Sequence, residues 1–244
     1  MNYPLLFRII FLPLVACIGT YTWFTTGGSI LGYIFVFIFA NICSWIGTAG
    51  FHRWISHRSF EPTLHGKYIL MLCMLMESLG RPLLTAAVHR SHHIHSDSEG
   101  DPHSPKFLSF KDMMLGFYKQ PPSLPPLRDI LKQRDIMFFD RNYWLLWFLL
   151  NMLIALVDWR VALLLCPLTF CKSWFGGQTV NYHGHGKQKC EPTNSSSKIV
   201  VFFSGGEHLH ANHHEKPGNW RFDRQGGMID ITAYLITWLR LRKT

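Results

Sequence analysis

An all-α membrane protein is the fold class this sequence predicts, and three observations predict it. Only 16% of the 244 residues are charged while 48% are hydrophobic, and at a mean hydropathy of just +0.09 the apolar residues must be concentrated in runs. Several of those runs reach the ~20 residues that cross a bilayer. The basic residues are also lopsided: twelve of 24 lie in 52–142 and ten in 172–244, with Arg8 and Arg160 as the only others. That asymmetry marks loops gathered on the cytoplasmic face. The expectation is four transmembrane helices in two hairpins, about 3–51 and 143–180, plus a re-entrant or interfacial helix. A cytosolic helical cap of 52–142 and 181–244 completes a single domain over 1–244. Disorder, a coiled coil and a soluble globule are excluded, and the +9 charge reads as positive-inside bias rather than a nucleic-acid surface.

The first span runs from Tyr3 to Phe24 and reads as a retained helix rather than a cleaved signal, because a second apolar run follows at once. That second run, Gly28 to Phe51, has no charge, and Thr25-Thr26-Gly27-Gly28 turns the pair into an antiparallel hairpin. Tyr68 to Val88 is apolar but carries Glu77, Arg81 and Pro82 in its middle. If the histidines on its two flanks serve one metal site, it dips into the membrane or lies along it rather than crossing. Pro121 to Pro126 reads as a rigid connector, followed by one amphipathic helix from Leu127 to Phe139. Tyr143 to Val180 forms the second hairpin, broken by Asp158-Trp159-Arg160, and its inner end protrudes into the cap from Lys172 onward. Lys187 to Lys198 is a loop. The six cysteines form no CxxC pair and read as reduced core residues.

The functional signal is the clustering of 14 histidines. His89-Arg-Ser-His92-His93 and His210-Ala-Asn-His213-His214 share an HxxHH pattern, whose i, i+3 and i+4 positions fall on one helix face. His52 and His57 add an HxxxxH pair, about 140° apart on an ideal α-helix and therefore best placed at a helix end. One such histidine would read as solvated or as satisfied core. Eight in three tight motifs read as a metal centre, and more imidazoles than one four-ligand site uses imply two ions. Imidazole alone does not choose among Zn, Cu, Fe and Ni.

HRWISHR at His52 to Arg58, HRSHH at His89 to His93, DPHSP at Asp101 to Pro105 and GEHLHANHH at Gly206 to His214 resemble the signature of the membrane fatty acyl desaturases, particularly the delta-9 branch. The resemblance covers about residues 40 to 222. It implies a four-helix membrane domain with a cytosolic cap and two Fe ions held almost wholly by histidine. His52, His57, His89, His92, His93, His210, His213 and His214 match the box ligands. Asn181 and His185 match an NxxxH arrangement that supplies a ninth imidazole and a water-mediated metal contact. His183 and His95 receive no ligand role, and the Asp-Pro-His turn with His103 reads as a brace for the second box. Asp97 and Asp101 are expected to accept ring N–H bonds from ligating histidines, and Glu207 to do so for the third box.

The activity so implied is O2-dependent insertion of a cis double bond, at the delta-9 position, into a saturated long-chain acyl-CoA or acyl-lipid. Ala87-Val88 stands where animal acyl-CoA desaturases carry Arg-Asp, which leaves the headgroup open, and the compact length and the Pro82 to His93 stretch resemble bacterial members more than animal ones. The implied location is a bacterial inner membrane rather than the endoplasmic reticulum, with the site on the cytoplasmic side. No flavin, nicotinamide or haem fingerprint is present. Electrons must then come from outside, from a ferredoxin or a b-type cytochrome with its reductase. Two alternatives share parts of the pattern: a histidine-rich membrane hydroxylase or alkane monooxygenase, and a non-enzymatic metal-binding membrane protein.

Overall fold

The computed structural model describes residues 3–120, 125–185, 191–223 and 228–241, and among them it contains helices and two isolated β-bridges but no strand. Three helices are long and apolar enough to cross a membrane, Leu5–Thr25, Ile30–Ser56 and Tyr143–Gly184, with mean hydropathies of 1.9, 2.0 and 2.0. Their outward faces carry large apolar side chains such as Phe7, Leu31, Phe35, Leu153 and Leu156, all exposed. An apolar exterior of this extent is stable in lipid and not in water. The protein is an all-α membrane protein.

Helix α1 (Tyr3–Thr25) turns back at Gly27, whose φ of 81° lies in the left-handed region, and at Gly28, where a Cβ would stand 2.4 Å from the Trp23 indole. Trp23 Nε1 donates to the Ser29 carbonyl at 2.9 Å, and the Ser29 hydroxyl caps α2 (Ile30–Thr48) by accepting from Gly32 N. The α-helix then passes into a π-helical segment, Ala49–Ser56. Its i→i+5 bonding includes His57 N to His52 O at 3.1 Å. The HxxxxH pair is thus stacked by the π-turn itself, and the 140° separation of an ideal α-helix does not apply.

Helix α3 (Leu64–Glu77) ends at Ser78 in the left-handed conformation, and Pro82 opens α4 (Pro82–His95). The two helices meet at 85°. Arg8 donates to the Ser78 carbonyl at 2.9 Å and Trp147 Nε1 to its hydroxyl at 2.8 Å, so the bend is held from both hairpins. After a short helix α5 (Phe110–Met114) in the cap, the expected single amphipathic helix over 127–139 is instead two short pieces, α6 (Arg128–Leu131) and α7 (Arg134–Arg141). The break between α6 and α7 lets Asp129 bind Arg90 while Asp140 binds Arg81 and caps Leu83 N. The proline connector at 121–124 lies outside the described residues.

Helix α8 (Tyr143–Gly184) is interrupted at Asp158, where φ −154° and ψ 110° are extended. Trp147 from one half and Phe170 and Trp174 from the other share a core cluster, as do Leu150, Ile154, Leu165 and Cys166, so the two halves pack side by side. Asp158 accepts from Arg160 N at 2.9 Å, and the Arg160 guanidinium sits 5.1 Å from the Trp23 ring beside the α1–α2 turn. The second half stays helical to Gly184, a little past the expected end near 180. Three short helices close the cap, α9 (Lys198–Ser204), α10 (His210–Glu215) and α11 (Ile231–Leu239). Five cysteines are free: Cys43, Cys73 and Cys166 are buried, whereas Cys17 is exposed on α1 rather than in the core. Cys190 and the 187–190 part of the expected loop lie outside the described residues.

Candidate metal centre

Nine imidazoles converge where the π-segment, α4, the end of α8 and α10 meet, in two groups. His52, His57, His89, His93 and His213 form the first and His92, His185, His210 and His214 the second, with the potential ligand atoms of each group within 4.8 Å of one another. Each HxxHH motif is divided between them. His89 and His93, four residues apart on α4, enter the first group and His92 the second. On α10 the pattern is reversed, His210 and His214 entering the second group and His213 the first. The two helices thus each supply both groups, which lie side by side with the His93 and His214 rings 4.4 Å apart.

The ring edges that converge are Nε2. In the first group the Nε2–Nε2 distances are 3.0 Å for His52–His213, 2.6 Å for His57–His89 and 2.9 Å for His93–His213. In the second they are 2.8 Å for His185–His210 and 3.3 Å for His92–His214. Three rings are oriented from behind by carboxylates: His52 Nδ1 faces Glu207 at 2.5 Å, His92 Nδ1 faces Asp101 at 2.9 Å, and His185 Nδ1 faces Asp97 at 2.8 Å. An ionised carboxylate only accepts, so each of these rings carries its proton on Nδ1 and turns an Nε2 lone pair inward. In each group these inward nitrogens stand among further imidazole nitrogens, a crowded neutral donor set that fits a metal ion.

Electrostatics agree. Burial, followed by the neighbouring imidazoles, drives His57, His210 and His213 far below the usual range and His214 down to about 2. All are neutral at physiological pH, the form that binds metal. Burial alone would raise Glu207, yet His52 and Arg53 outweigh it and hold the carboxyl at about 2. Glu207 meets a first-box histidine and not one of its own box, because Arg53 donates to its Oε1 at 2.9 and 3.1 Å and fixes it there.

Asn181 lines a cavity of about 240 Å³ together with His52, His89 and His210 and with Leu5, Leu79, Leu84 and Trp174. His183 is exposed and joins neither group. His103 is more involved than a brace: its buried ring stacks on His92 at 4.3 Å, lines the cavity and, with His92 and Asp101, forms a third group of possible ligands. Arg53, fully buried between Glu207 and Asp230, escapes sequence reasoning. Its only signal is an arginine inside a histidine box.

The family model described as "Fatty acid desaturase" matches residues 28–222. The chain is 26% identical over 204 residues to the sn-1 stearoyl-lipid 9-desaturase of Anabaena variabilis, covering 80% of this chain and 75% of the relative. It is 28% identical over 220 residues to the delta-9 desaturase-like 2 protein of Arabidopsis thaliana, covering 83% and 71%. It is also 26% identical over 217 residues to an acyl-CoA C20 delta-5 desaturase of Anemone leveillei, covering 81% and 67%. A family match over most of the chain, with every histidine motif inside it, means that the chain belongs to the fatty acid desaturase family and is a desaturase enzyme.

Proposed function

We propose that this desaturase holds two Fe ions and uses O2 and two external electrons to introduce a cis double bond at the delta-9 position of a saturated long-chain acyl group, carried on a lipid or on coenzyme A. The observation that carries this reading is that histidines of both groups line one cavity whose wall is largely apolar. Relatives named for position nine and for stearoyl-lipid support the choice of substrate and position.

In this reading the nine histidines are the ligands, Asn181 makes a water-mediated contact, and Asp97, Asp101 and Glu207 fix the ring tautomers. Bound iron would supply the redox chemistry, with O2, needed to take hydrogen from unactivated methylenes, which no side-chain acid or base can do. The chain's own work is positional. Leu5, Leu79, Leu84 and Trp174 offer an apolar wall to the alkyl chain. Electrons arrive from a ferredoxin or a b-type cytochrome with its reductase.

Purified protein reconstituted with iron is expected to bind two ions per chain. Cells expressing it with an electron donor are expected to accumulate a delta-9 monounsaturated acid, read by gas chromatography with mass spectrometry. Hydroxylated chains without any alkene would overturn the reading.

The same reading makes the whole chain one domain that crosses the membrane four times, as α1, α2 and the two halves of α8, with the histidines on the cytoplasmic side of a bacterial inner membrane. Single cysteines at His65, Gln120 and Ser195, in a background lacking the native cysteines, should be labelled only after the membrane is opened. Labelling of any of them from the outside would refute this topology.

A further inference from the structure

Glu77, the last residue of α3, is fully buried among apolar helices. Its Oε1 accepts hydrogen bonds from the Thr48 hydroxyl at 2.7 Å and the Ser173 hydroxyl at 2.6 Å, and Ser173 Oγ stands 2.5 Å from Ser44 Oγ. Its Oε2 has no hydrogen-bond partner. It packs against Gly47, where a Cβ would stand 2.6 Å away. A carboxyl in such a place is costly to retain and is commonly functional.

Two openings flank it. Thr48 and Ser173 line the cavity that holds His52, His89 and Glu207. Lys172 lines a second groove of about 410 Å³ between α2, α8 and α9. The Lys172 ammonium lies 5.1 Å from the Trp45 ring and within electrostatic reach of Glu77. Tyr143, Cys73 and Glu207 are the other titratable groups that face Glu77. A buried acid therefore stands between a groove that carries an ammonium and a cavity whose wall carries two hydroxyls.

Resting on the desaturase reading, we infer that Glu77 is a proton relay into the cavity, loaded from the Lys172 side and discharged through Ser173 and Thr48. The reaction needs one. R–CH2–CH2–R′ + O2 + two electrons + two protons gives R–CH=CH–R′ + two waters, with O2 taking four electrons, two from the external donor and two from the substrate C–H bonds. The two protons must be delivered to the cavity. When Glu77 is ionised, the Ser173 hydroxyl donates to it. When it is protonated, the same 2.6 Å contact reverses: the carboxylic O–H donates to Ser173 Oγ, which passes its own proton to water in the cavity. The carboxylate is reprotonated by the Lys172 ammonium, and the amine so formed takes a proton from water entering the groove.

Glu77→Gln keeps an acceptor oxygen for Thr48 and Ser173 but cannot carry a proton. In the iron-loaded enzyme with its electron donor, this variant is expected to keep the substrate KM while kcat falls about 10²-fold, the usual size for a lost positioned proton donor. Electrons should be diverted to hydrogen peroxide and the solvent deuterium effect on kcat should increase. Glu77→Asp, still an acid, should recover much of the loss. A readout independent of activity comes from infrared spectra of the metal-free protein taken through a pH titration. A carboxylic C=O band should appear that Glu77→Gln lacks, and it should shift in D2O without unfolding. Should Glu77→Gln fail to insert, Ser173→Ala removes one relay hydroxyl, leaves Glu77 bonded to Thr48 and should show the same uncoupling. Wild-type kcat and coupling in the inserted variant, or a band that does not exchange, would overturn the relay. Absence of any alkene from the wild-type enzyme would instead overturn the desaturase reading.

Discussion

Alanine at His213 is expected to abolish desaturation and to lower bound iron from two ions to about one per chain, while the protein still inserts. His213 is fully buried in the five-histidine group, with its Nε2 3.0 Å from that of His52 and 2.9 Å from that of His93. Truncation removes one converging lone pair and leaves an apolar gap that neither neighbour can fill. Changes behind a metal ligand cost about 10- to 100-fold, so loss of the ligand itself should exceed that. His183→Ala is the control, because His183 is exposed and outside both groups. Metal analysis by mass spectrometry, with product analysis on the same preparations, reads both effects. Two irons per chain in His213→Ala would remove that residue from the ligand set.

Much of the architecture is written in local chemistry. The Thr25–Gly28 turn, the break at Asp158 and the bend beside Pro82 follow from glycine, a charged turn and proline, which act within a few residues of themselves. The nine histidines that the structure gathers are those singled out by motif and resemblance. Their division into two groups is not legible in sequence, because it depends on how α4 and α10 face each other. Nor is the π-segment: its sequence is compatible with continued α-helix, and seven of its eight residues, Arg53 among them, are buried against distant parts of the chain. Glu207 was expected to serve the third box but serves His52, since its partner is chosen by a guanidinium 154 residues away in sequence. Long-range ion pairs leave no periodicity to read.

Arg53→Met is expected to lower the stability of the fold by about 3–5 kcal/mol, the cost of stranding buried charge when one partner of a buried pair is removed. Arg53 has no exposed surface. It donates to Glu207, to both oxygens of Asp230 at 2.8 and 3.1 Å and to the Trp220 carbonyl at 2.8 Å, with its guanidinium 3.8 Å from the Phe222 ring. Asp230 in turn accepts from Phe222 N and caps α11 through Ala233 N, each at 2.9 Å. One side chain therefore ties the π-segment to the chain before α10 and to the start of α11. Lysine cannot substitute, because a point charge does not reach two carboxylates and a carbonyl as the planar fork does. Without Arg53, Glu207 loses its anchor and His52 its fixed tautomer, so the first histidine group should loosen along with the fold. A double-mutant cycle separates the charge from the packing: Asp230→Leu in the Arg53→Met background removes one stranded carboxylate and should recover part of the loss. Thermal and denaturant unfolding in detergent would read the cycle. Strict additivity of the two substitutions would show that the pair, although buried and fully bonded, does not couple these segments.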